Sequence, residues 1–128
     1  MAHLYIIRGV TGSGKTTLAH KMLKHGMVDA HFEADMFMVD ERGDYKFNPK
    51  YLKFCHDQCQ RVTAAALTIG QPVAVSNTFT RKWEMQPYID MAKNGGHSVT
   101  VIVCQGEHGN THGVPVDKVE EMNRRFEY

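Results

Sequence analysis

Residues 9 to 16 read GVTGSGKT, a glycine-rich stretch closed by a lysine and a threonine. The spacing matches the phosphate-wrapping loop G-x-x-x-x-G-K-[ST]. Gly9, Gly12 and Gly14 let the backbone turn its N–H groups inward onto phosphate oxygens, with Thr11 and Ser13 between them. A helix beginning at the end of the loop adds its electropositive tip. Lys15 then reaches the β- and γ-phosphates of a nucleoside triphosphate, and the Thr16 hydroxyl ligates Mg²⁺, with Thr17 next in line. Binding of ATP or GTP is the chemistry that this stretch supports.

A second group of polar residues follows the later apolar runs. Asp35 closes the weakly apolar stretch Ala30–Ala34. A carboxylate there can accept the proton of a hydroxyl that attacks the γ-phosphate in line. The same position equally suits a helix N-cap or loop acid. Asn77, Thr78 and Thr80 follow the run Pro72–Val75. They suit an acceptor's phosphate or sugar, or a water on Mg²⁺, and they equally suit turn and capping chemistry, which is the expectation for Thr80. Trp83 is expected in the core or half-buried rather than as a platform for a base.

These groups need elements to hold them. Leu4–Ile7 reads as a buried strand because it ends in the glycine loop. From Lys15, a helix with Leu18, Met22 and Leu23 on one face runs to the stop signal Gly26. Ala30–Ala34 is a second strand, followed by the polar loop ERGDYKFNP. A helix from Pro49 to about Leu67 places Leu52, Cys55, Cys59, Val62 and Ala66 at helical spacing. Pro72–Val75 is a third strand. Thr80 is the expected N-cap of a helix from Arg81 to Lys93, stopped by Asn94-Gly95-Gly96. Val99–Val103 is a fourth strand. After the loop QGEHGNTHG, Pro115 opens a last helix from Val116 to about Phe126.

Strand and helix alternate, which predicts an α/β fold: a four-to-five-stranded parallel sheet with helices on both faces, in the three-layer P-loop NTPase or kinase arrangement, as a single domain over residues 1–128. Ligands of such sheets bind at the carboxyl ends of the strands, where all the polar groups above collect.

Several functions are excluded. A net charge of +1 provides no polybasic field for non-specific nucleic-acid binding. The guanine-reading motif N-K-x-D of GTPases is absent, and the third strand ends in Ser76-Asn77 rather than the acid that a motor ATPase needs. Cys55, Cys59 and Cys104 follow no secretory signal, and all read as reduced helix thiols rather than metal ligands, consistent with a cytoplasmic protein. The apolar part of the amino terminus is too short for a membrane segment.

The stretches GVTGSGKTTLA, EADMF with the following DERGDYKFNP, SNTFTRKWEMQPY and NTHGVPVDKVEEMNRRFE, in that order, resemble the small P-loop kinases of the polynucleotide 5′-hydroxyl kinase group, phage enzymes and NEDD4-binding-protein-2-like proteins among them. The resemblance implies ATP and Mg²⁺ as cofactors and transfer of the γ-phosphate to a hydroxyl, that of a 5′-OH DNA or RNA end. For a phage-encoded member the compartment is the host cytoplasm. It implies Lys15 and Asp35 as the catalytic pair and Thr16 as metal ligand; by their positions at the strand ends and in the loops, Asn77, Thr78, Arg81 and His112 are the candidates on the substrate. The sequence departs from the group's pattern at three places. Met38 stands where an acceptor-phosphate arginine is expected, Gly109 where a lid arginine is expected, and Ser76 or Asn77 where an acid is usual. Arg81, His108, His112, Arg124 and Arg125 are the side chains left to supply positive charge. A kinase for a small nucleoside or nucleotide, and an ATP-binding module with little catalysis, are the alternative readings.

Overall fold

In a computed structural model, residues 2–105 and 124–128 are described. The strands β1 (His3–Arg8), β2 (Ala30–Phe32), β3 (Val73–Asn77) and β4 (Ser98–Val103) form a four-stranded sheet in the order β2-β3-β1-β4. All pairings are parallel: Leu4 to Arg8 lie opposite Val73 to Asn77, and His3 to Arg8 opposite Ser98 to Val103. The helices are α1 (Lys15–Lys24), α2 (Leu52–Thr68) and α3 (Gln86–Asn94).

The alternating side chains of the strands sort the helices into two layers. Leu4, Ile6, Val73 and Val75 face α2 and α3, burying Cys55, Cys59, Ala66, Leu67, Tyr88 and Ala92. Ile7 and Ala74 face α1, burying Ala19, Met22 and Val28. The expected α/β architecture is present, with helices on both faces.

Individual expectations need correction. On α1 the buried residues are Ala19 and Met22, whereas Leu23 is 37% exposed, because the face turned to the sheet is centred on Ala19 and Met22 with Leu18 at its edge. Leu52 is exposed at the start of α2, and Thr63 is buried instead, its hydroxyl satisfied by donating to the Cys59 carbonyl at 2.7 Å. β2 stops at Phe32, and Ala34–Phe37 form a 3₁₀ turn that contains Asp35. No single helix runs from Arg81 to Lys93. A 3₁₀ turn, Lys82–Met85, precedes α3, which starts where Pro87, lacking an N–H, fits the first turn of a helix. Thr80 is not the cap. It is buried, and its hydroxyl donates to Glu84 Oε1 at 3.0 Å, while Arg81 caps the turn with its N–H on the same carboxylate oxygen at 2.8 Å. Trp83 is 73% exposed, so the core reading fails for it. Cys104 follows β4 and is not helical, in contrast to buried Cys55 and Cys59.

Among the described residues, Arg8 is a charged side chain built into the core. Arg8 is buried, its Nε and Nη2 donate to the Phe79 carbonyl at 3.1 and 2.6 Å, and its guanidinium lies 4.4 Å from the centre of the Phe126 ring. Phe79 has φ +45°, unique to it among the described non-glycine residues. The carboxyl-terminal residues close over this knot, with the Glu127 N–H on the Thr80 carbonyl at 2.6 Å.

Candidate functional site

The loop between β1 and α1 is held from both sides. Gly9 donates its N–H to the Thr78 carbonyl at 3.2 Å, and Ser13 donates its N–H to Val10 at 3.1 Å. A Cβ on Gly9 would lie 2.6 Å from the Cys104 carbonyl oxygen, so no side chain fits there. Gly14 caps α1 with φ 97°, a left-handed conformation that glycine adopts without strain. The first N–H groups of α1 are thereby aimed out of the helix end, as phosphate binding requires.

Lys15 folds back on the loop, its Nζ donating to the Val10 carbonyl at 2.9 Å. Burial pushes its ammonium below the ordinary value, against the opposing pull of Glu33 first, then Cys104 and Asp35. Thr16 donates its hydroxyl to Glu33 Oε2 at 3.3 Å. Ser76 donates to the same oxygen at 3.4 Å, and His31 Nε2 lies 2.6 Å from the Ser76 hydroxyl. The network assigns the Nε2–H tautomer to His31, which donates to Ser76 so that Ser76 can donate to Glu33. Burial, and to a lesser degree His20, lowers the His31 pKa to about 4, so the ring is neutral.

Asp35 sits half-buried in its 3₁₀ turn. The turn is pinned to the sheet because Asn77 Oδ1 accepts the Ala34 N–H at 2.8 Å. On one side the Asp35 charge acts on Lys15; on the other it acts on Tyr45 and Cys55, helping burial to raise both their hydroxyl and thiol pKa values. Along the chain the turn lies between Glu33, which meets Thr16 at the start of α1, and the segment that follows it. That segment folds into a small hairpin through an antiparallel bridge between Val39 and Tyr45. Under it lies an open cavity of about 690 Å³, lined among others by Phe37, Tyr51 and Phe54, by Asp40, Glu41 and Asp44, and by Arg42 and Lys46.

The expected site residues divide as follows. Gly9, Thr11, Gly12, Ser13, Gly14, Lys15 and Thr16 lie in one loop and helix start, with Thr17 exposed just beyond. Asn77 is taken up in bracing the Asp35 turn, and the Thr78 carbonyl in bracing Gly9. Arg81 is exposed at the cap of its turn. His112, with His108 and Gly109, lies outside the described residues, as does most of the expected last helix; of that helix, Arg124 and Arg125 are helical and exposed. Met38, at the position expected to carry an acceptor arginine, is 2% exposed and packs its sulfur 3.9 Å from Cys55 Sγ.

Sequence reasoning missed Glu33. Its signal was the two-residue spacing from His31, which turns both side chains to the α1 side of the sheet edge. The donor set suits Mg²⁺. Thr16 and Glu33 offer hard oxygens, and among the described residues no group of three or more His, Cys, Asp or Glu could enclose a metal. Mg²⁺ is held in that manner in nucleotide sites, by one or two protein oxygens, phosphates and water. Among the described residues no helix is long and apolar enough to cross a membrane.

Comparison with known proteins bears on family and fold. Residues 4–109 match the family model described as AAA domain. The chain is 26% identical to human NEDD4-binding protein 2 over 136 residues, covering 97% of this chain but 8% of that protein. It is 30% identical to an uncharacterized protein of Pasteurella multocida (strain Pm70), covering 95% of this chain and 75% of the relative. A chain of the Pnkp1/Rnl/Hen1 complex superposes with a TM-score of 0.68 at 19% identity, over 94% of this chain and 38% of that one. The chain thus spans well under half the length of the human relative and of that structural neighbour.

Proposed function

The chain belongs to the AAA domain family of P-loop kinases, and on that footing we propose that it transfers the γ-phosphate of ATP to a hydroxyl acceptor. Loop amides and the α1 terminus take the phosphates, and Lys15 exchanges the Val10 carbonyl for phosphate oxygens. Thr16 and its carboxylate neighbour would hold Mg²⁺, which, when bound, offsets the charge of the β- and γ-phosphates. Asp35 accepts the proton of the acceptor hydroxyl as its oxygen bonds to the γ-phosphorus and the bond to the β-bridging oxygen of ADP breaks. The observation that carries this reading is the anchoring of the Asp35 turn: Asn77 pins it to the end of β3, it directly follows Glu33, which meets Thr16, and at Phe37 it enters the cavity lining.

Kinship favours the 5′-hydroxyl of a polynucleotide or oligonucleotide as acceptor, since the Pnkp1/Rnl/Hen1 neighbour is described as an RNA repair complex. One observation favours a second reading, a small nucleoside or nucleotide. Met38 is buried and uncharged, so no cation at that position meets an acceptor phosphate, and the cavity lining has Asp40, Glu41 and Asp44 against Arg42 and Lys46. Such a lining does not attract a polyanion. Offering γ-labelled ATP with 5′-OH DNA, 5′-OH RNA and a panel of nucleosides separates the two. Label on nucleic-acid ends supports the first; label on small molecules alone eliminates it.

A further inference from the structure

We propose that Glu33 is the acid that orders the magnesium ion of the bound nucleotide, a role that the edge of β3 leaves unfilled. The inference rests on the kinase reading above. A P-loop site needs a carboxylate beside the metal-ligating hydroxyl, to bind the cation or one of its waters. β3 ends in Ser76-Asn77, neither of which is charged, and Asn77 already holds the Ala34 N–H at 2.8 Å. Glu33 fills the gap from the other neighbour of β3, with Oε2 3.3 Å from Thr16 Oγ1.

The choice of glutamate has a geometric reason. β2 lies one strand further from β1 than β3 does, so an acid just past its end starts about 4.8 Å further from the phosphate loop. The extra methylene of glutamate shortens that gap. Ser76, instead of carrying the charge, steers it: its hydroxyl donates to Glu33 Oε2 at 3.4 Å and is itself met by His31 Nε2 at 2.6 Å. Glu33 and Asp35 then divide two tasks between them. Glu33 faces Thr16 and the cation, whereas Asp35 lies in the next turn, which enters the lining of the acceptor cavity at Phe37.

The test reads the metal, not turnover. ATP affinity is measured by calorimetry in EDTA and in saturating Mg²⁺ for wild type, Glu33→Gln and Ser76→Ala. Wild type is expected to bind tighter with Mg²⁺. Glu33→Gln should keep its EDTA affinity within about threefold while losing about 10–100-fold of the Mg²⁺ enhancement, and Ser76→Ala should lose less than Glu33→Gln. Equal enhancement in wild type and Glu33→Gln overturns the proposal and leaves the kinase reading intact, as does a wild type that binds ATP with no enhancement. No ATP binding by wild type overturns both. If Glu33→Gln does not fold, wild-type crystals with Mn²⁺ and a non-hydrolysable ATP analogue decide by anomalous scattering. Mn²⁺ within about 4.5 Å of a Glu33 carboxylate oxygen, the reach of one bridging water, supports the proposal, and a greater distance overturns it.

Discussion

Asn77 Oδ1 accepts the backbone N–H of Ala34 at 2.8 Å, tying the end of β3 to the turn that presents Asp35. The bond spans two strands that a sequence cannot order, and it makes Asn77 a positioning residue. Asn77→Ala should lower kcat by about tenfold, since a small misplacement of a catalytic group is costly, while the KM for ATP moves by less than about threefold. Asn77→Asp retains an acceptor oxygen and should recover most of the rate. Steady-state kinetics on the three proteins checks both outcomes.

Lys15 now donates to Val10 at 2.9 Å and must leave that carbonyl to meet phosphate. The ammonium gains more from an anionic phosphate oxygen than from the uncharged carbonyl that it leaves. Lys15→Ala should therefore weaken ATP binding by at least about tenfold, measured by calorimetry. Unchanged affinity would remove the phosphate loop from the account.

Arg8 satisfies the Phe79 carbonyl with two donors and stacks on Phe126. Arg8→Leu leaves that carbonyl buried without its donors and deprives the Phe79 backbone, at φ +45°, of its support. A loss of about 2–4 kcal/mol is expected, read by denaturant unfolding.

His31 is held neutral in the fold, with a pKa near 4 against 6.5 when unfolded. Between those values the unfolded chain binds the extra proton, so stability falls as pH drops from about 6.5 to about 4 and is level with respect to this group above that window. His31→Gln removes that dependence. Thermal unfolding of the two proteins across the window should show wild type losing more on acidification than the variant.

Much of this was legible in sequence because it is local. GVTGSGKT sets its own backbone, and Gly9 and Gly14 occupy positions where a side chain meets Cys104 or φ is 97°. Strand and helix type followed from spacing, but strand order did not, and with it went the relation of Asp35 and Glu33 to the loop. Glu33 reads as strand surface until β3 brings Ser76 beside it. Arg8 looks like an ordinary strand-end charge, because its partners lie on the far side of the chain at Phe79 and Phe126. Trp83 was misread since size and apolarity favour burial, whereas the 3₁₀ turn before Pro87 rotates it outward. The cavity over residues 37–54 comes from a polar loop whose hairpin rests on the Val39–Tyr45 bridge, which no periodicity signals.

The central claim is that Asp35 takes the acceptor's proton at the end of a triphosphate gripped by the loop. The direct measurement compares wild type with Asp35→Asn for γ-phosphate transfer to the best acceptor and, separately, for ATP affinity. Transfer should fall by about 10²–10⁴-fold while ATP affinity stays within about threefold. Transfer by Asp35→Asn at the wild-type rate would contradict the account.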